Sequence, residues 1–312
     1  MNALIVGFGV MGCRHAQSLL NAPGKIAVSV VEPSDENFSA GLNRINFKPS
    51  DVTRYLTLDE IKTSFDIAIV ATSSAPRYDV VKALIAKGIK TLLLEKVVFQ
   101  SLKQFDEIIN LLQSNNAKAY CNFANRYFQN YIQLKNNIGS GKVNMNVTGG
   151  EFGLASNALH YLDLFEYLTD SKMKITNSSL HISDKENKRG IQYRELHGSL
   201  SGGNHKGDVF SITSDISNSK MPVIMISADD PVFVFDQNTQ KEIRTVNGKT
   251  SETEFQIIPT SVLTYPIVTD ILAGKTHLTT VQETRNVHQE IFKYFNPVFG
   301  LENKTDTLCP IT

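Results

Sequence analysis

The chain of 312 residues balances 31 basic against 31 acidic side chains, for a formal net charge of zero, with 20% of its residues charged and 41% hydrophobic. That balance excludes the basic footprint of a nucleic-acid binder and the acidic run of a solvating tail. The length holds two domains of ordinary size, and no apolar run is long enough to span a bilayer.

Cys13, Cys121 and Cys309 lack CxxC or CxxH spacing, so they suggest neither a disulfide framework nor a zinc site, and no metal is expected. An apolar strand begins almost at once and leaves no room for a signal or transit peptide, which makes the cytoplasm the expected location.

That strand, Ala3-Leu4-Ile5-Val6, runs into Gly7-Phe8-Gly9-Val10-Met11-Gly12, and residues 13–20 read as a helix. Strand, Gly-x-Gly-x-x-Gly and helix together form the dinucleotide-binding fingerprint. Gly7 permits the tight turn, Gly9 lets backbone approach a pyrophosphate, and Gly12 lets helix and sheet pack closely. The helix start offers N–H groups and a partial positive charge to phosphate. A second strand, residues 26–31, ends in Glu32, 20 residues past Gly12. An acid there accepts hydrogen bonds from the adenosine ribose and repels a 2′-phosphate, favouring NAD over NADP. A solvated strand-end carboxylate is the bland alternative, outweighed by the register of all five features.

The chain then continues as alternating strand and helix, implying a doubly wound parallel sheet. Residues 33–48 read as polar and irregular, 56–64 as a short helix, and 65–72 as a buried strand ending in Thr72-Ser73-Ser74. A helix is expected over 78–87, a strand over 90–96 ending in Glu95-Lys96, a helix over 102–114 and a strand over 117–122. Ligands in such sheets lie beyond the carboxyl ends of the strands. The glycine loop, Glu32, Ala71, Thr72, Ser73, Glu95, Lys96 and the stretch 122–126 all fall at that edge.

Near residue 143 the texture changes to period-2 alternation, with strands expected over 143–151, 174–182, 191–200, 209–216, 222–228 and 232–235. Turn residues cluster between them, and Asn247-Gly248 is a strong hairpin signal. One helix is inserted at 157–168 and another closes the chain at 280–295. The reading is a dinucleotide-binding domain over 1–122 and an α+β domain over 123–312 built on a large, mostly antiparallel open sheet. The closing helix is placed against the first domain. An open sheet commonly finds a partner, so a homodimer or homotetramer through it is expected.

Two residues are candidates for chemistry. Lys96 ends a strand beside the implied cleft, where an ammonium could polarise a substrate hydroxyl. A solvated strand-end lysine fits the residues as well. His160 shares a helix face with Asn157 and Asp163 at i, i+3 spacing, and an imidazole suits proton relay to a carbinol oxygen. A hydrogen-bonded histidine on a polar face is the competing reading. The other histidines, His15 among them, show no partner at metal-ligand spacing and carry no assigned role.

The order Gly7-x-Gly9-x-x-Gly12-x-Arg14-His15, Ala71-Thr72, Ala83-Leu84, Lys87-Gly88, Glu95-Lys96, Asn125-Arg126 and His160-x-x-Asp163 resembles the Gfo/Idh/MocA family of oxidoreductases. The resemblance implies a Rossmann domain, an open-sheet domain and NAD(P)-dependent redox chemistry on a sugar or nucleotide-sugar hydroxyl. It implies catalytic roles for Lys96 and His160, with Asp163 orienting the imidazole. It also implies substrate contacts from Lys96, Asn125, Arg126, Asn157 and His160.

Three departures stand out: Val97 where a proline usually follows the lysine, Asn130 where a proline often follows the Asn-Arg pair, and Ser156 where the family often has aspartate. Serine cannot supply that charge. Gly153-Leu154-Ala155-Ser156-Asn157 also resembles a subgroup linked to bacterial surface-polysaccharide clusters. A sensor or scaffold that keeps the dinucleotide site without the chemistry is the alternative.

Overall fold

The opening apolar run forms β1 (Asn2–Val6), fully buried after its first residue, and leads through the glycine turn into α1 (Val10–Leu20). The computed structural model describes residues 1–139 and 141–312. After α1 come β2 (Ala27–Val31), α2 (Asp35–Ile45), β3 (Thr53–Tyr55), β4 (Ile67–Val70), α3 (Ser74–Ala86), β5 (Thr91–Leu94), α4 (Leu102–Ser114) and β6 (Lys118–Cys121). The six strands pair in the order β3-β2-β1-β4-β5-β6, all parallel. Ile67-Ala68-Ile69-Val70 is buried on both sides, as a strand covered on both faces requires. The strand order reverses beside β1, at the sheet edge where the glycine loop and the end of β4 meet.

Two expectations here need correction. Residues 33–48, read as irregular, contain α2. Its N-cap Ser34 accepts a hydrogen bond from the Asn37 N–H at 3.1 Å, Asp35 and Glu36 sit in its first turn, and Asn46 closes it in the left-handed region. Phe38, Leu42 and Ile45 are buried at i, i+4, i+7, a helical period hidden among polar neighbours. Residues 56–64, read as a helix, hold only a 3-10 turn at Leu58–Glu60. The Glu60 carboxylate takes the Leu56 N–H at 2.7 Å, a local side-chain bond that competes with helix.

Later in the chain α5 (Gln129–Asn137), β7 (Val143–Gly149), α6 (Leu154–Thr169), β8 (Lys174–Ile182), β9 (Leu196–Gly203), β10 (Val209–Ser214), β11 (Val223–Ala228), β12 (Val232–Asp236), β13 (Lys241–Val246) and β14 (Lys249–Glu254) follow. These eight strands make one sheet, β14-β13-β12-β11-β7-β10-β9-β8, antiparallel except where β7 runs parallel to β10. The expected fold class is therefore the observed one. β9 starts at Leu196 rather than at residue 191, because residues 184–195 form turns. Alternation along β7 buries Val143, Met145 and Val147 against the helical layer, where Phe165 of α6 meets Phe210 of β10 edge-on at 5.0 Å.

The chain ends with α7 (Thr260–Leu272), absent from the sequence reading, and α8 (Val281–Val298). Two compact units result. One comprises Met1–Phe99, Lys103–Ala124 and Ile258–Glu283, and the other Gln100–Leu102, Asn125–Ile257 and Thr284–Thr312. In the first, α7 packs on α1, with the Ser18 hydroxyl accepting the Tyr265 N–H at 3.0 Å. Most of α8 belongs to the second, where Glu290 accepts the Ile175 N–H at 2.9 Å. Among the described residues no helix is long and apolar enough to cross a membrane.

Candidate functional site

The glycine loop is built by steric necessity. Gly7 has φ +88°, and a Cβ there would press on Thr72; a Cβ on Gly12 would collide with the Gly7 carbonyl oxygen. Above Gly9 there is open space, with nothing within 4 Å of where a side chain would begin. The start of α1 has no side-chain cap and no acidic residue in its first turn. Its N–H groups and positive pole are thus turned to an opening that fits a pyrophosphate. Val10 is largely exposed and Met11 half-buried at this opening.

Glu32 is nearly buried, and its carboxylate accepts the Phe8 N–H at 3.0 Å and the Ser34 N–H at 3.1 Å. Two of roughly four lone-pair sites remain for ribose hydroxyls. The Phe8 amide therefore serves Glu32 and not a phosphate, and the Phe8 ring is buried with its centroid 5.7 Å from that of Phe38. Two buried polar atoms at the carboxyl ends of β4 and β6, Thr72 Oγ1 and Asn122 Oδ1, lack a hydrogen-bond partner. Orphans of this kind at a sheet edge fit a polar ligand. Ala71 and Ser73 flank Thr72 and are half-buried.

Behind this edge lies a buried polar network that sequence reasoning missed. His15 of α1 is completely buried, with Nε2 3.0 Å from Glu95 Oε1 and Nδ1 2.7 Å from Thr264 Oγ1 of α7. Asn122 Nδ2 donates to the same Glu95 oxygen at 2.6 Å. Burial alone would raise the Glu95 pKa; the hydrogen bond and charge of His15, the Asn122 amide and the Arg77 charge overcome it and bring it to about 2.

Arg77, in α3, is 1% exposed and donates to the main-chain oxygens of Thr72, Glu95 and Val97, the Glu95 bond being 2.5 Å. It thus grips the carbonyls on either side of Lys96. Lys96 itself is nearly buried, and its peptide bond to Val97 is cis. Only the resemblance at Arg14-His15 hinted at His15; nothing in the spacing marked Arg77.

In the second unit, α6 carries Asn157, His160 and Tyr161 into a cavity of about 210 Å³. Asn125, Phe128, Tyr131, Phe152, Met221, Pro222, Gln237 and Ile257 complete its lining. The Asn157 amide donates to the Phe152 carbonyl at 2.6 Å, fixing the segment that opens the helix. Burial pushes the Tyr161 phenol well above its ordinary value, partly offset by a hydrogen bond with Gln237.

Two of the expected site residues pair with each other in this unit. Asp163, assigned to orient His160, is 1% exposed and directs both carboxylate oxygens at Arg126, which donates from Nε at 2.7 Å and Nη2 at 2.9 Å. Arg126, assigned to substrate, is held by that bidentate pair and lies 5.1 Å from the Tyr167 ring centroid. The two anchor the middle of α6 to the segment before α5. Asn130 stays within the fold as well, donating to Glu242 at 2.6 Å.

The charge that Ser156 cannot carry comes to it from Glu195, just before β9. The Glu195 carboxylate accepts from the Ser156 hydroxyl, and from the N–H groups of Ala155 at 2.5 Å, Ser156 at 3.2 Å and Leu196 at 3.0 Å. The α6 N-cap, Gly153, supplies no side-chain bond, so Glu195 is the cap. Among the described residues no cluster of His, Cys, Asp or Glu is arranged to hold a metal ion.

Residues 1–123 match the family model GFO_IDH_MocA, described as an oxidoreductase family with an NAD-binding Rossmann fold. A search of curated proteins finds no match. Solved structures share the fold across both units. An oxidoreductase from Agrobacterium radiobacter in complex with NAD+, L-tartaric acid and magnesium aligns with a TM-score of 0.76 at 10% identity over 96% of each chain. The UDP-N-acetylglucosamine 3-dehydrogenase of Acidithiobacillus ferrooxidans aligns at 0.74 and 13% identity, over 94% of this chain and 96% of that one. A super-repressor mutant of Gal80p from Saccharomyces cerevisiae aligns at 0.76 and 15% identity over 96% of each chain. Residues 1–123 thus match the NAD-binding domain of the Gfo/Idh/MocA oxidoreductase family, and the chain shares its fold with these solved structures along nearly its whole length.

Proposed function

We propose that the chain is an NAD-dependent dehydrogenase or reductase acting on a hydroxyl or keto carbon of a sugar or nucleotide-sugar. The observation that carries this is the His160 pocket. An imidazole on a buried helix faces a cavity of about 210 Å³ whose polar lining is otherwise amide and phenol, groups suited to sugar hydroxyls. NAD, when bound, supplies the hydride acceptor; the side chains bind, orient and move protons. Lys96 is assigned to hold and polarise the carbinol oxygen, and His160 to exchange its proton. Asn125 and Asn157 are assigned to substrate hydroxyls, and Glu32 to the adenosine ribose.

Arg126 and Asp163 are reassigned to holding α6 in place. The cross-strand row Met225, Val234 and Ile243 on the second sheet supports a homodimer or homotetramer formed through its open face.

NAD(H) should raise the melting temperature and NADP(H) should do so far less, because a ligand bound only by the folded state stabilises it. With a sugar-nucleotide substrate in hand, Lys96→Ala and His160→Ala should each lower kcat by at least about a hundredfold while the NAD(H) shift is retained. Full turnover in either variant removes that residue from the mechanism. The likeness to Gal80p favours one second reading, a dinucleotide-binding regulator without chemistry. A clear NAD(H) shift with no hydride transfer to any nucleotide-sugar would select it.

A further inference from the structure

The walls of the α6 pocket carry more information than the oxidoreductase reading uses. Four aromatic rings line it, in two contacting pairs: Phe128 lies stacked on Tyr131 at 5.9 Å, and Phe152 meets Tyr161 edge-on at 5.8 Å. At the mouth two large apolar side chains stand uncovered, Met221 at 52% and Ile257 at 48% exposure. Such side chains around an opening mark a surface that a ligand covers. The polar groups are Asn125, Asn157, Gln237 and the His160 imidazole. Each amide offers a donor and an acceptor, which matches a hydroxyl and offers no charge to an ion.

Among the described residues no lysine, arginine, aspartate or glutamate lines the cavity. Three charged side chains close to these residues are already committed. Arg126 and Asp163 form a bidentate pair with each other, and Glu195 caps α6. Burial holds the Tyr131 and Tyr161 phenols well above their ordinary values, so they stay neutral hydrogen-bonding groups. A carboxylate or phosphate placed here would leave water to face amides, neutral phenols and the His160 imidazole alone, with no permanently charged side chain of the lining to meet it.

We infer that this pocket takes an uncharged pyranose ring, stacked by its C–H face on the aromatic wall, and that any phosphate or carboxylate of the substrate stays outside it. The inference rests on the sugar oxidoreductase reading for the identity of the ring, and on the wall chemistry for its charge.

The test uses the full chain with NAD+ and saturation-transfer NMR titrations of matched probes. The probes are methyl glycosides and the corresponding methyl uronides of gluco, galacto and manno configuration, each pair differing only at C6. In the configuration that binds, the neutral glycoside should bind at least tenfold more tightly than its uronide, with the strongest transfer on ring C–H protons. Met221→Lys, a change at an exposed position on the rim, should raise uronide affinity at least tenfold and leave the neutral glycoside within about threefold.

Equal or tighter binding of uronides, failure of every pair to bind, or an unmoved uronide affinity in Met221→Lys would each overturn the inference. An NAD(H) thermal shift run alongside separates the two claims. A shift without neutral selectivity removes only the charge assignment. Neutral selectivity without a shift removes the dehydrogenase reading and leaves the pocket chemistry standing.

Discussion

Glu95 shows how one buried residue ties the cofactor edge together. Its carboxylate meets His15 from α1 and Asn122 from the end of β6, and its carbonyl accepts from Arg77 of α3. An isolated carboxylate at this depth would prefer to be neutral; these partners hold it ionised, with a pKa of about 2 against an ordinary value of 4.5. A depressed value means that the folded state binds its proton less readily than the unfolded chain. The resulting stabilisation is complete above the ordinary pKa and fades as the pH falls from about 5 towards 2. Its size is on the order of 3 kcal/mol. Glu95→Gln should therefore lower the urea midpoint at pH 7. It should also flatten the loss of stability between pH 5 and pH 3, measured by denaturant titrations of both proteins. An acid dependence equal to that of the natural chain would show that Glu95 is not ionised through this network.

At the scale of elements, the telling case is α6. A helix that delivers Asn157 and His160 must have a settled N-terminus, yet its N-cap is a glycine with φ +76° and its first turn holds no acid. Glu195 satisfies the Ala155 and Ser156 N–H groups and the Ser156 hydroxyl from about 40 residues away. Glu195→Ala should cost about 1–3 kcal/mol through the donors left unmet. Glu195→Gln, which keeps an acceptor oxygen but loses the charge, should cost about half as much. Urea unfolding of the three proteins checks this, and indistinguishable midpoints would remove the cap.

The same helix separates what was legible in the sequence from what was not. Its span, its histidine and the glycine loop follow local patterns, which depend on neighbours a few residues apart. The Glu195 cap, the Arg77 bond to Glu95 and the pairing of Asp163 with Arg126 depend on partners 18 to 40 residues away, and no spacing rule reaches so far. The helix α2 was legible in principle, through Ser34 and the 38, 42, 45 period, but its polar composition masked it. α7 buries Leu263, Ile267, Val268 and Ile271 at helical spacing, but the exposed Val262 and Leu272 put apolar side chains on its other face as well and blur the period in the sequence.

For the whole molecule, the open face of the second sheet decides whether the chain works alone. Strand pairing places Met225 of β11 opposite Val234 of β12, and Val234 opposite Ile243 of β13. Met225 is 42% exposed, and Val234 and Ile243 are half-buried, so the row forms an apolar band on the face turned from the helical layer. Beside this band lies β14, exposed along its entire length, an edge that offers unpaired backbone groups.

A closed symmetric dimer buries such a band against its own copy. Sedimentation velocity at micromolar concentration should show a dimer or tetramer. Met225→Lys places an ammonium at the centre of the contact and should shift the population towards monomer by at least tenfold in dissociation constant, with little change in melting temperature when both are measured at low concentration. If the natural chain sediments as a monomer, the band is surface and not an interface. If it is dimeric and Met225→Lys remains so, association runs through another part of the molecule.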